Sequence, residues 1–393
     1  MNKKVALTGN QAVANAMRQI NPDVIAAYPI TPSTEIVQMF SSFVANGQVD
    51  TDFVTVESEH SAMSATMGAS AAGARAMTAT SSQGLAYMFE VLYIASSMRL
   101  PIVFPVANRA LSGPINIHCD HSDAMGITNS GVIQLFSENA QEAYDNMIQA
   151  IRIAEHPDVL LPVSVNFDGF ITSHALDVLE ILDDETVKEF VGQYHPEEAL
   201  LDLENPVTMG GFDMYDYYFE HKYQQVDAME AAKGVIEEVG KEYAKISGRN
   251  YGLIDAYKLE DADMAIVLLN SAAGSAKGVC DELRAKGLKV GVLKPRSFRP
   301  FPYKEIQEAL KGVKAVAVLD RAETFSTMGG PMFADVRTAL YDLKSDIKAI
   351  NYVYGLGGRD LRLEDVEHVY NELGEIIKTG ETGKFVRYLG LRE

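Results

Sequence analysis

The chain contains no tryptophan, and it has few basic residues for its length. Its 393 residues include 54 aspartates and glutamates against 34 lysines and arginines, which gives a net charge of −20. A protein this acidic gains nothing by displacing counterions from a nucleic acid. Anionic membrane surfaces repel it for the same reason. The charge therefore argues against nucleic acid and against membrane surfaces as partners.

Cysteine is scarce as well. Only Cys119 and Cys280 occur, and two thiols are too few for an iron–sulfur cluster or for a zinc site of four thiolates. A disulfide between them is disfavoured in a reducing compartment. We expect no metal site in this chain, so any redox metal that works with it must belong to another chain.

Long apolar runs are also missing. No run of 18 apolar residues occurs, so the sequence predicts no membrane-spanning helix. The apolar stretch after the first lysines is too short for a signal peptide, and we expect a cytoplasmic protein. Hydrophobic residues make up 47% of the chain and charged residues 22%, a composition that is ordinary for a globular protein of two or three domains.

What is present is an alternation of apolar runs and helical patterns. The helix after the apolar run of residues 76–80 is expected at residues 85–97. The polar residues at the ends of such runs are typical of βα turns. The resulting βα units predict a doubly wound α/β domain over residues 1–185. Four apolar runs are interpreted as buried parallel strands: residues 24–28, 76–80, 101–107 and 160–166.

The chain changes character after this first domain. Residues 186–255 are acidic and aromatic and become helical from about Gln224, so we interpret them as a linker with a covering arm. The α/β alternation resumes over residues 256–393, which predicts a second, smaller α/β domain. Its strands are expected at residues 264–269, 289–293 and 313–319.

One stretch combines a strand, two carboxylates and a run of very small residues. After the apolar residues 53–56 come Glu57 and Glu59, followed by a helix made almost wholly of Ala, Ser, Gly and Met up to Gly73. Small side chains allow close packing, so this helix is expected to be buried on several faces. The two carboxylates either stabilise the first turn through the helix dipole, or one of them is a buried acid that faces a ligand nitrogen.

Polar residues at three other strand ends are candidates for the same site. The segment from Tyr28 and Pro29 through Thr31 is a rigid turn, and Ser33 or Thr34 is expected to cap the next helix. Gln83 and Gly84 either line the site or form a plain βα turn. Arg109 presents a guanidinium that suits a carboxylate, although a surface ion pair explains it as well. Such residues lie together at the carboxyl edge of a parallel sheet.

Three further motifs have simpler interpretations. The run His118, Cys119, Asp120, His121, Ser122, Asp123 resembles a metal site at first, but it is also typical of a polar loop, which we favour. The glycine cluster at residues 355–358 is interpreted as a tight turn. Asp168-Gly169 is interpreted as a turn that closes a strand.

Four motifs in this order carry a family resemblance: Tyr28-Pro-Ile-Thr-Pro-Ser, Glu57-Ser-Glu-His-Ser-Ala, Ala79-Thr-Ser-Ser-Gln-Gly-Leu, and the segment from Asn108 to Asp123. In them the chain resembles the α subunits of the 2-oxoacid:ferredoxin oxidoreductase family, in particular the pyruvate:ferredoxin oxidoreductases (pyruvate synthases). The resemblance covers essentially the whole chain. It implies a thiamine-pyrimidine-type domain followed by a transketolase-C-terminal-like domain.

The resemblance also implies cofactors and partners. Thiamine diphosphate would be shared with a β subunit, while Mg²⁺ and the [4Fe–4S] clusters would lie in partner subunits, with β, γ and δ subunits or fused equivalents. The family's Gly-Asp-Gly motif for the magnesium diphosphate is absent from this sequence. The chain would therefore be inactive alone. The implied reaction converts pyruvate and coenzyme A into acetyl-CoA and CO2 with reduction of ferredoxin, or runs in reverse.

Site residues follow by matching the motifs. The family's Ser-Glu step falls on Ser58-Glu59, which makes Glu59 the acid that hydrogen-bonds the pyrimidine ring of the cofactor and promotes its activation. Thr31 and Arg109 would hold the substrate carboxylate. Tyr28, Pro29, Gln83 and Gly84 would line the cofactor site, and the loop of residues 118–123 would line or gate it. A relative that acts on another 2-oxoacid, or a non-catalytic scaffold, are the alternatives.

Overall fold

The computed structural model describes residues 3–343 and 346–392. Within these ranges strands and helices alternate for most of the chain. The strands are β1 Lys3–Thr8, β2 Val24–Ala27, β3 Asp52–Thr55, β4 Ala76–Met77, β5 Val103–Asn108, β6 Ile133–Ser137, β7 Val163–Asp168, β8 Leu176–Ile181, β9 Ile254–Tyr257, β10 Met264–Val267, β11 Val290–Pro295, β12 Ser297–Arg299, β13 Ala315–Asp320, β14 Lys348–Val353 and β15 Val386–Tyr388. The helices are α1 Gly9–Ile20, α2 Thr34–Ala45, α3 Glu59–Ala71, α4 Ser82–Tyr87, α5 Phe89–Ser97, α6 Ser122–Gly126, α7 Ala140–Ala154, α8 Asp184–Val191, α9 Tyr218–Ser247, α10 Ala272–Ala285, α11 Tyr303–Leu310, α12 Pro331–Asp342 and α13 Leu363–Thr379.

The first α/β domain is built on a seven-stranded sheet with the order β12-β6-β7-β5-β4-β2-β3. All neighbours from β6 to β3 are parallel, and β12 joins the edge in the antiparallel direction. Both central strands β5 and β7 are buried along their whole length, as expected for a parallel sheet that is covered on both faces. Their carboxyl ends therefore open on one edge of the sheet, which is where a doubly wound fold binds ligands.

The second α/β domain has a six-stranded sheet with the order β15-β14-β13-β10-β11-β9. Its strands are parallel except for the antiparallel edge strand β9. The predicted fold class of two successive α/β domains is confirmed. Among the described residues, no helix is both long and apolar enough to cross a membrane.

Helix α9 connects the two sheets. It spans 30 residues, and its apolar side joins the core of the first domain through Ala232, Ile236 and Tyr243. The expected start near Gln224 is wrong, since the helix begins six residues earlier at Tyr218. Because α9 packs on the first domain and β12 returns to its sheet from the second, the boundaries after residues 185 and 255 stay predictions.

The structure corrects two local predictions in the first sheet. Strand β6 was not expected, since Gln134, its second residue, breaks the apolar pattern. The buried side-chain amide of Gln134 donates to the carbonyl of Ala124 at 2.8 Å. The helix expected at residues 85–97 is two helices, and the first begins at Ser82. Ser82 has a positive φ of 46°, a conformation that does not follow from residue type.

Two expectations about helix ends and burial are also wrong. Ser33 precedes α2, but its hydroxyl donates to the carbonyl of Ile30 at 2.9 Å instead of capping the helix. Helix α3 is not buried on several faces: Ala62 and Thr66 are buried, whereas Ser64 is half-buried and Gly68 is exposed. Its stripe of small residues is open to solvent in this chain.

Candidate active site

The carboxyl edge of the first sheet gathers the residues that the sequence singled out. The turn containing Thr31 follows β2, Glu59 follows β3, Gly84 follows β4 and Arg109 follows β5. These strands are neighbours in the sheet in the order β5-β4-β2-β3. Residues that lie far apart in sequence therefore line one short edge.

Glu59 is the first residue of α3. Ser58 precedes it as the N-cap, and its hydroxyl accepts from the amide of Ser61 at 3.2 Å. The Glu59 side chain is only 9% exposed, yet its carboxylate has no hydrogen-bond partner among the described residues. A buried carboxylate at a helix N-terminus is stabilised by the helix dipole but retains the capacity to bind a polar ligand atom.

Glu57 has a different environment. It lies before the helix on the exposed surface and accepts a hydrogen bond from the hydroxyl of Ser61. This bond lowers the pKa of Glu57. The two carboxylates are therefore distinguished by burial and by partners, and only Glu59 is buried.

Gly84 packs directly against Glu59. A Cβ atom at this position would lie 2.7 Å from Cγ and 2.9 Å from Oε1 of Glu59, and 2.5 Å from Oγ1 of Thr80. Real Cβ atoms do not approach other atoms so closely, so glycine is required here. The hydroxyls of Thr80 and Ser81 are buried and have no hydrogen-bond partner in the described structure.

Arg109 is 7% exposed and is held by two carbonyls of the backbone. Its Nε donates to the carbonyl of Asn116 at 2.8 Å, and its Nη1 donates to the carbonyl of Thr31 at 3.0 Å. Burial lowers the pKa of Arg109, while the nearby charge of Asp123 opposes this shift. The structure therefore brings Arg109 and Thr31 together and fixes the direction of the guanidinium.

The remaining predicted site residues are less closely connected. Tyr28 is half-buried and Pro29 is exposed, and no hydrogen bond joins either side chain to Glu59 in the described structure. Gln83 is half-buried; its Nε2 donates to the hydroxyl of Ser112, and its Oε1 accepts from Ser82 at 2.6 Å. Gln83 thus ties the turn after β4 to the loop after β5.

Asp123 belongs to this edge, although the sequence placed it only in a polar loop. Its Oδ2 accepts from the backbone amides of Ser82 and Arg109, both at 3.0 Å. Its Oδ1 accepts from the amide side chain of Asn108 at 3.0 Å and from the amide of Ala124 at 2.7 Å. Burial raises the pKa of Asp123 to about 6, although the four hydrogen bonds lower it.

A second carboxylate, Asp168 at the end of β7, joins the two domains. Its Oδ2 contacts the Arg321 guanidinium at 3.1 Å, and its Oδ1 accepts from Asn270 at 3.0 Å. His121 of the first domain lies 2.8 Å from the same Oδ1. Burial opposes ionisation, but Arg321 and His121 hold the pKa of Asp168 well below its usual range.

Cys119, His121 and Asp168 are the one combination of possible metal ligands found among the described residues, with ligand atoms all within 4.8 Å. Asp168 is already paired with Arg321, which supplies positive charge at this position. Both cysteines of the chain are free and buried. The arrangement is satisfied as an ion pair between domains, and a metal ion would have to compete with a guanidinium.

The glycine cluster of the second domain is a tight turn that contacts the loop after Arg109. Gly355, Gly357 and Gly358 all have positive φ angles. Asn116 donates to the carbonyl of Gly357 at 3.0 Å, and the amide of Gly357 donates to Asp120 at 3.3 Å. The second domain therefore holds Asn116, whose backbone carbonyl accepts a hydrogen bond from Nε of Arg109.

Sequence reasoning missed Asp123 as a link between loops and Asp168 as a link between domains. A signal was present for Asp123, since it stands in a motif that also contains Arg109. No local signal connects Asp168 with Arg321, because these residues are separated by 153 positions.

The site fits the pyrimidine end of thiamine diphosphate in two respects. Glu59 is buried, and its carboxyl group has no partner among the described residues. The hydroxyls of Thr80 and Ser81 are further buried polar groups without partners in the described chain. The Gly-Asp-Gly motif that the family uses for the magnesium diphosphate does not occur in the sequence.

Comparisons with known proteins agree with this arrangement. Residues 15–241 match the family model described as pyruvate flavodoxin/ferredoxin oxidoreductase, thiamine-diphosphate-binding, and residues 262–366 match core domain II of pyruvate:ferredoxin oxidoreductase. The pyruvate synthase subunit PorA of Thermotoga maritima is 56% identical over 100% of this chain and 99% of its own length. PorA of Methanocaldococcus jannaschii is 47% identical over 93% of this chain and 94% of its own.

Two further comparisons concern substrate range and fold. The ketoisovalerate oxidoreductase subunit VorA of Pyrococcus horikoshii is 40% identical over 99% of this chain and 98% of its own. A solved 2-oxoglutarate:ferredoxin oxidoreductase from Magnetococcus marinus has a TM-score of 0.74 at 21% identity, covering 95% of this chain and 65% of that chain. This second likeness shows the fold.

The chain belongs to the pyruvate:ferredoxin oxidoreductase family, as an enzyme subunit with a thiamine-diphosphate-binding domain. The resemblance drawn from the four sequence motifs is thereby confirmed.

Proposed function

We propose that this chain is the α subunit of a thiamine-diphosphate-dependent pyruvate:ferredoxin oxidoreductase. The reaction is the conversion of pyruvate and coenzyme A into acetyl-CoA and CO2 with transfer of two electrons to ferredoxin, or its reverse, pyruvate synthesis. The observation that carries the proposal is the buried carboxylate of Glu59, which has no partner among the described residues and lies on the same sheet edge as the fixed guanidinium of Arg109.

Glu59 is the proposed catalytic acid. Thiamine diphosphate held here would supply the carbanion equivalent and the electron sink that decarboxylation of a 2-oxoacid requires. The role of Glu59 is to hold a proton between its carboxyl oxygen and a nitrogen of the pyrimidine ring. Its burial strengthens this hydrogen bond, and Gly84 packs directly against its side chain. Tyr28, Pro29, Gln83 and Gly84 are proposed to line the same site.

Arg109 and Thr31 are the proposed residues for the substrate carboxylate. Arg109 keeps its direction because two carbonyls hold its Nε and Nη1, and a guanidinium pairs with a carboxylate through charge-assisted hydrogen bonds. The Thr31 side chain is exposed beside it. One cation and a neutral hydroxyl balance a monoanionic 2-oxoacid, whereas a dianion would require a second cation.

The partners are proposed to supply what this chain lacks. A β subunit would hold the diphosphate, its Mg²⁺ and an iron–sulfur cluster, a δ subunit would hold further [4Fe–4S] clusters, and a γ subunit would complete the cytoplasmic complex. Exposed apolar side chains support an interface near the site: Tyr87 is 57% exposed and its ring lies 5.6 Å from that of His60, next to Glu59. Apolar surface of this kind marks contacts between proteins.

A related 2-oxoacid is the second candidate substrate. It is favoured by the 40% identity to a ketoisovalerate oxidoreductase subunit. The greater identity to pyruvate synthase subunits, 56% and 47%, supports pyruvate instead. The chain geometry near Arg109 is compatible with either monoanion, so the choice requires a kinetic comparison.

The test is a steady-state assay of the assembled complex with pyruvate, 2-oxobutyrate, 2-oxoisovalerate, 2-oxoglutarate and oxalate. We expect the highest kcat/KM for pyruvate. A higher value for 2-oxoglutarate or oxalate would overturn the substrate assignment. The chain purified alone should be colourless, free of iron and inactive, and stoichiometric cluster iron in the isolated chain would overturn the subunit assignment.

A further inference from the structure

Asp123 lies between the two parts of the proposed site, and its carboxylate accepts from the backbone amide of Arg109, not from the guanidinium. It is 2% exposed, and its carboxylate accepts four N–H donors. Two of these donors, the backbone amides of Ser82 and Arg109, share the single oxygen Oδ2 at 3.0 Å each. One oxygen atom therefore fixes the distance between the turn after β4 and the loop after β5.

These two segments carry the two halves of the proposed chemistry. The turn that begins at Ser82 contains Gly84, which packs against the carboxylate of Glu59. The loop that begins at Arg109 contains the guanidinium proposed to hold the substrate carboxylate. A shift of either segment would change the separation between the catalytic acid and the substrate anchor.

We infer that Asp123 is a positioning residue that sets the separation of Glu59 and Arg109 by holding Ser82 and Arg109 on one carboxylate oxygen. The inference rests on the proposed function. Ser82 adopts a positive φ of 46°, which is strained for a residue with a side chain. The hydrogen bond from its amide to Asp123 is one contact that keeps this conformation in place.

The requirement for a carboxylate follows from the donors. All four groups that face Asp123 are N–H donors, and only an ionised carboxylate accepts on both oxygens. Asparagine has almost the same shape, but its amide nitrogen would face two N–H groups. Asp123→Asn therefore breaks the arrangement with a minimal change in volume.

The experiment compares Asp123→Asn with Asp320→Asn in the assembled complex. Asp320 is an equally buried aspartate of the second domain whose acceptors are used in the same way, by the amides of Met332 and Phe333 and by the side chain of Asn351. We expect Asp123→Asn to lower kcat and to raise the pyruvate KM, with a combined loss in kcat/KM of about 100-fold, because misplacement by about 1 Å has this effect. Asp320→Asn should lower the melting temperature and leave both constants near the wild-type values.

Unchanged kcat and KM in Asp123→Asn would overturn the inference, since a purely structural role predicts the pattern of Asp320→Asn. If Asp123→Asn does not assemble, Asn108→Ala removes one of the four donors and should lower kcat/KM about tenfold; wild-type kinetics there would also overturn the inference. A wild-type complex that turns over no 2-oxoacid would instead overturn the proposed function.

A separate observation concerns the second domain. Its residue Gly357 accepts a hydrogen bond from Asn116, whose carbonyl in turn accepts from Nε of Arg109 at 2.8 Å. Gly357 has a φ of 61°, and a Cβ there would lie 2.5 Å from Nδ2 of Asn116. A Cβ added at Gly357 would therefore displace the amide side chain of Asn116.

We infer that the turn at Gly357 orients the guanidinium of Arg109 through Asn116, which gives the second domain a role in substrate binding. The test is Gly357→Ala against Gly383→Ala in the assembled complex. Gly383 also lies in the second domain and has a φ of 60°, but the nearest atom to its added Cβ is 3.8 Å away. The backbone strain is therefore matched, and the contact with Asn116 is the difference.

Gly357→Ala should raise the pyruvate KM about tenfold with little change in kcat, because the guanidinium loses its fixed direction. Gly383→Ala should leave KM unchanged. Equal KM values in the two variants would overturn the inference. Should Gly357→Ala fail to assemble, Asn116→Ser removes the same contact from the other side, and a wild-type KM in that variant would overturn the inference as well.

Discussion

The carboxyl edges of the two parallel sheets carry similar residues but use them differently. At the end of β13 in the second sheet, Asp320 accepts from Met332 and Phe333 at 2.8 and 3.2 Å and from Asn351 at 2.8 Å. Two of these donors are backbone amides in the first turn of α12, and the third is a side chain of β14. This edge stabilises the fold.

At the carboxyl edge of the first sheet several polar side chains have no hydrogen-bond partner among the described residues. Glu59 has no partner for its carboxylate within the described ranges, and the buried hydroxyls of Thr80 and Ser81 have none either. A buried polar group without a partner costs about 1–3 kcal/mol. The Asp320 carboxylate is satisfied within its own domain, whereas the first edge keeps buried polar groups that are available to a ligand.

The two edges meet at Asp168. This residue of the first sheet is paired with Arg321 of the second domain, and both side chains are nearly inaccessible to solvent. The second domain thus contributes the positive charge of Arg321 to the interface between the domains. Four measurements test whether the carboxyl edge of the first sheet binds a ligand and whether that of the second sheet serves only to stabilise the fold.

The largest expected effect is on the interface between domains. Arg321→Met should lower the stability by about 3–5 kcal/mol, because it removes the guanidinium that is paired with the buried charge of Asp168. Thermal unfolding of the full chain measures this. Arg362→Met, which breaks an exposed pair with Asp365, is the control and should change stability far less, because exposed ion pairs contribute little. Similar losses in both variants would contradict the structural role of Arg321.

Gly84→Ala tests the ligand-binding edge without changing any charge. The added Cβ would displace Glu59 or Thr80, so we expect kcat of the assembled complex to fall about 100-fold. Gly68→Ala is the matched control, since the added Cβ meets no atom within 4 Å. Normal turnover in Gly84→Ala would show that Glu59 does not need its present position.

Arg109→Lys keeps the positive charge but loses the planar fork of donors. We expect kcat/KM for pyruvate to fall, mainly through a higher KM. The decrease should correspond to a loss of about 1.5–3 kcal/mol of transition-state stabilisation. Arg99→Lys is the control, because Arg99 also donates to two backbone carbonyls, those of Val159 and Leu160, at the opposite end of β5. Equal effects of the two substitutions on kcat/KM would contradict the proposal that Arg109 binds the substrate carboxylate.

The smallest expected effect is on the pH dependence of stability. Burial raises the pKa of Asp320 to about 7, although its hydrogen bonds lower it. An unfolded aspartate titrates near pH 4, so between about pH 4 and pH 7 the folded chain binds more protons and its stability decreases as the pH rises. Asp320→Asn should make melting temperatures between pH 5 and 7.5 less dependent on pH than in the wild type. An unchanged slope would contradict the raised pKa.

Much of the first edge could be predicted from sequence. Apolar runs mark the strands, and the carboxyl ends of parallel strands share one edge, so Thr31, Glu59, Gly84 and Arg109 were expected to lie together. The structure places them on neighbouring strands. The choice between Glu57 and Glu59 came from the family motif, and burial now distinguishes these two carboxylates.

Other features could not be predicted because they depend on tertiary contacts. The pairing of Asp168 with Arg321 joins two domains, and no local pattern reports it. Strand β6 escaped detection because a buried glutamine interrupts its apolar residues. The helix start at Ser82 depends on Asp123, which lies 41 positions away. The exposed side of α3 is as rich in small residues as a buried helix, so composition alone does not distinguish the two.

The role of Glu59 is tested most directly by proton exchange at C2 of the thiazolium ring in the assembled complex. We propose that Glu59 promotes removal of this proton, whereas the neighbouring Glu57 does not. We predict that Glu59→Gln slows hydrogen–deuterium exchange at C2 by about 10²–10⁴-fold, the range for loss of general acid–base catalysis, and that Glu57→Gln exchanges at the wild-type rate. Wild-type exchange in Glu59→Gln, or slow exchange in Glu57→Gln alone, would contradict the assignment.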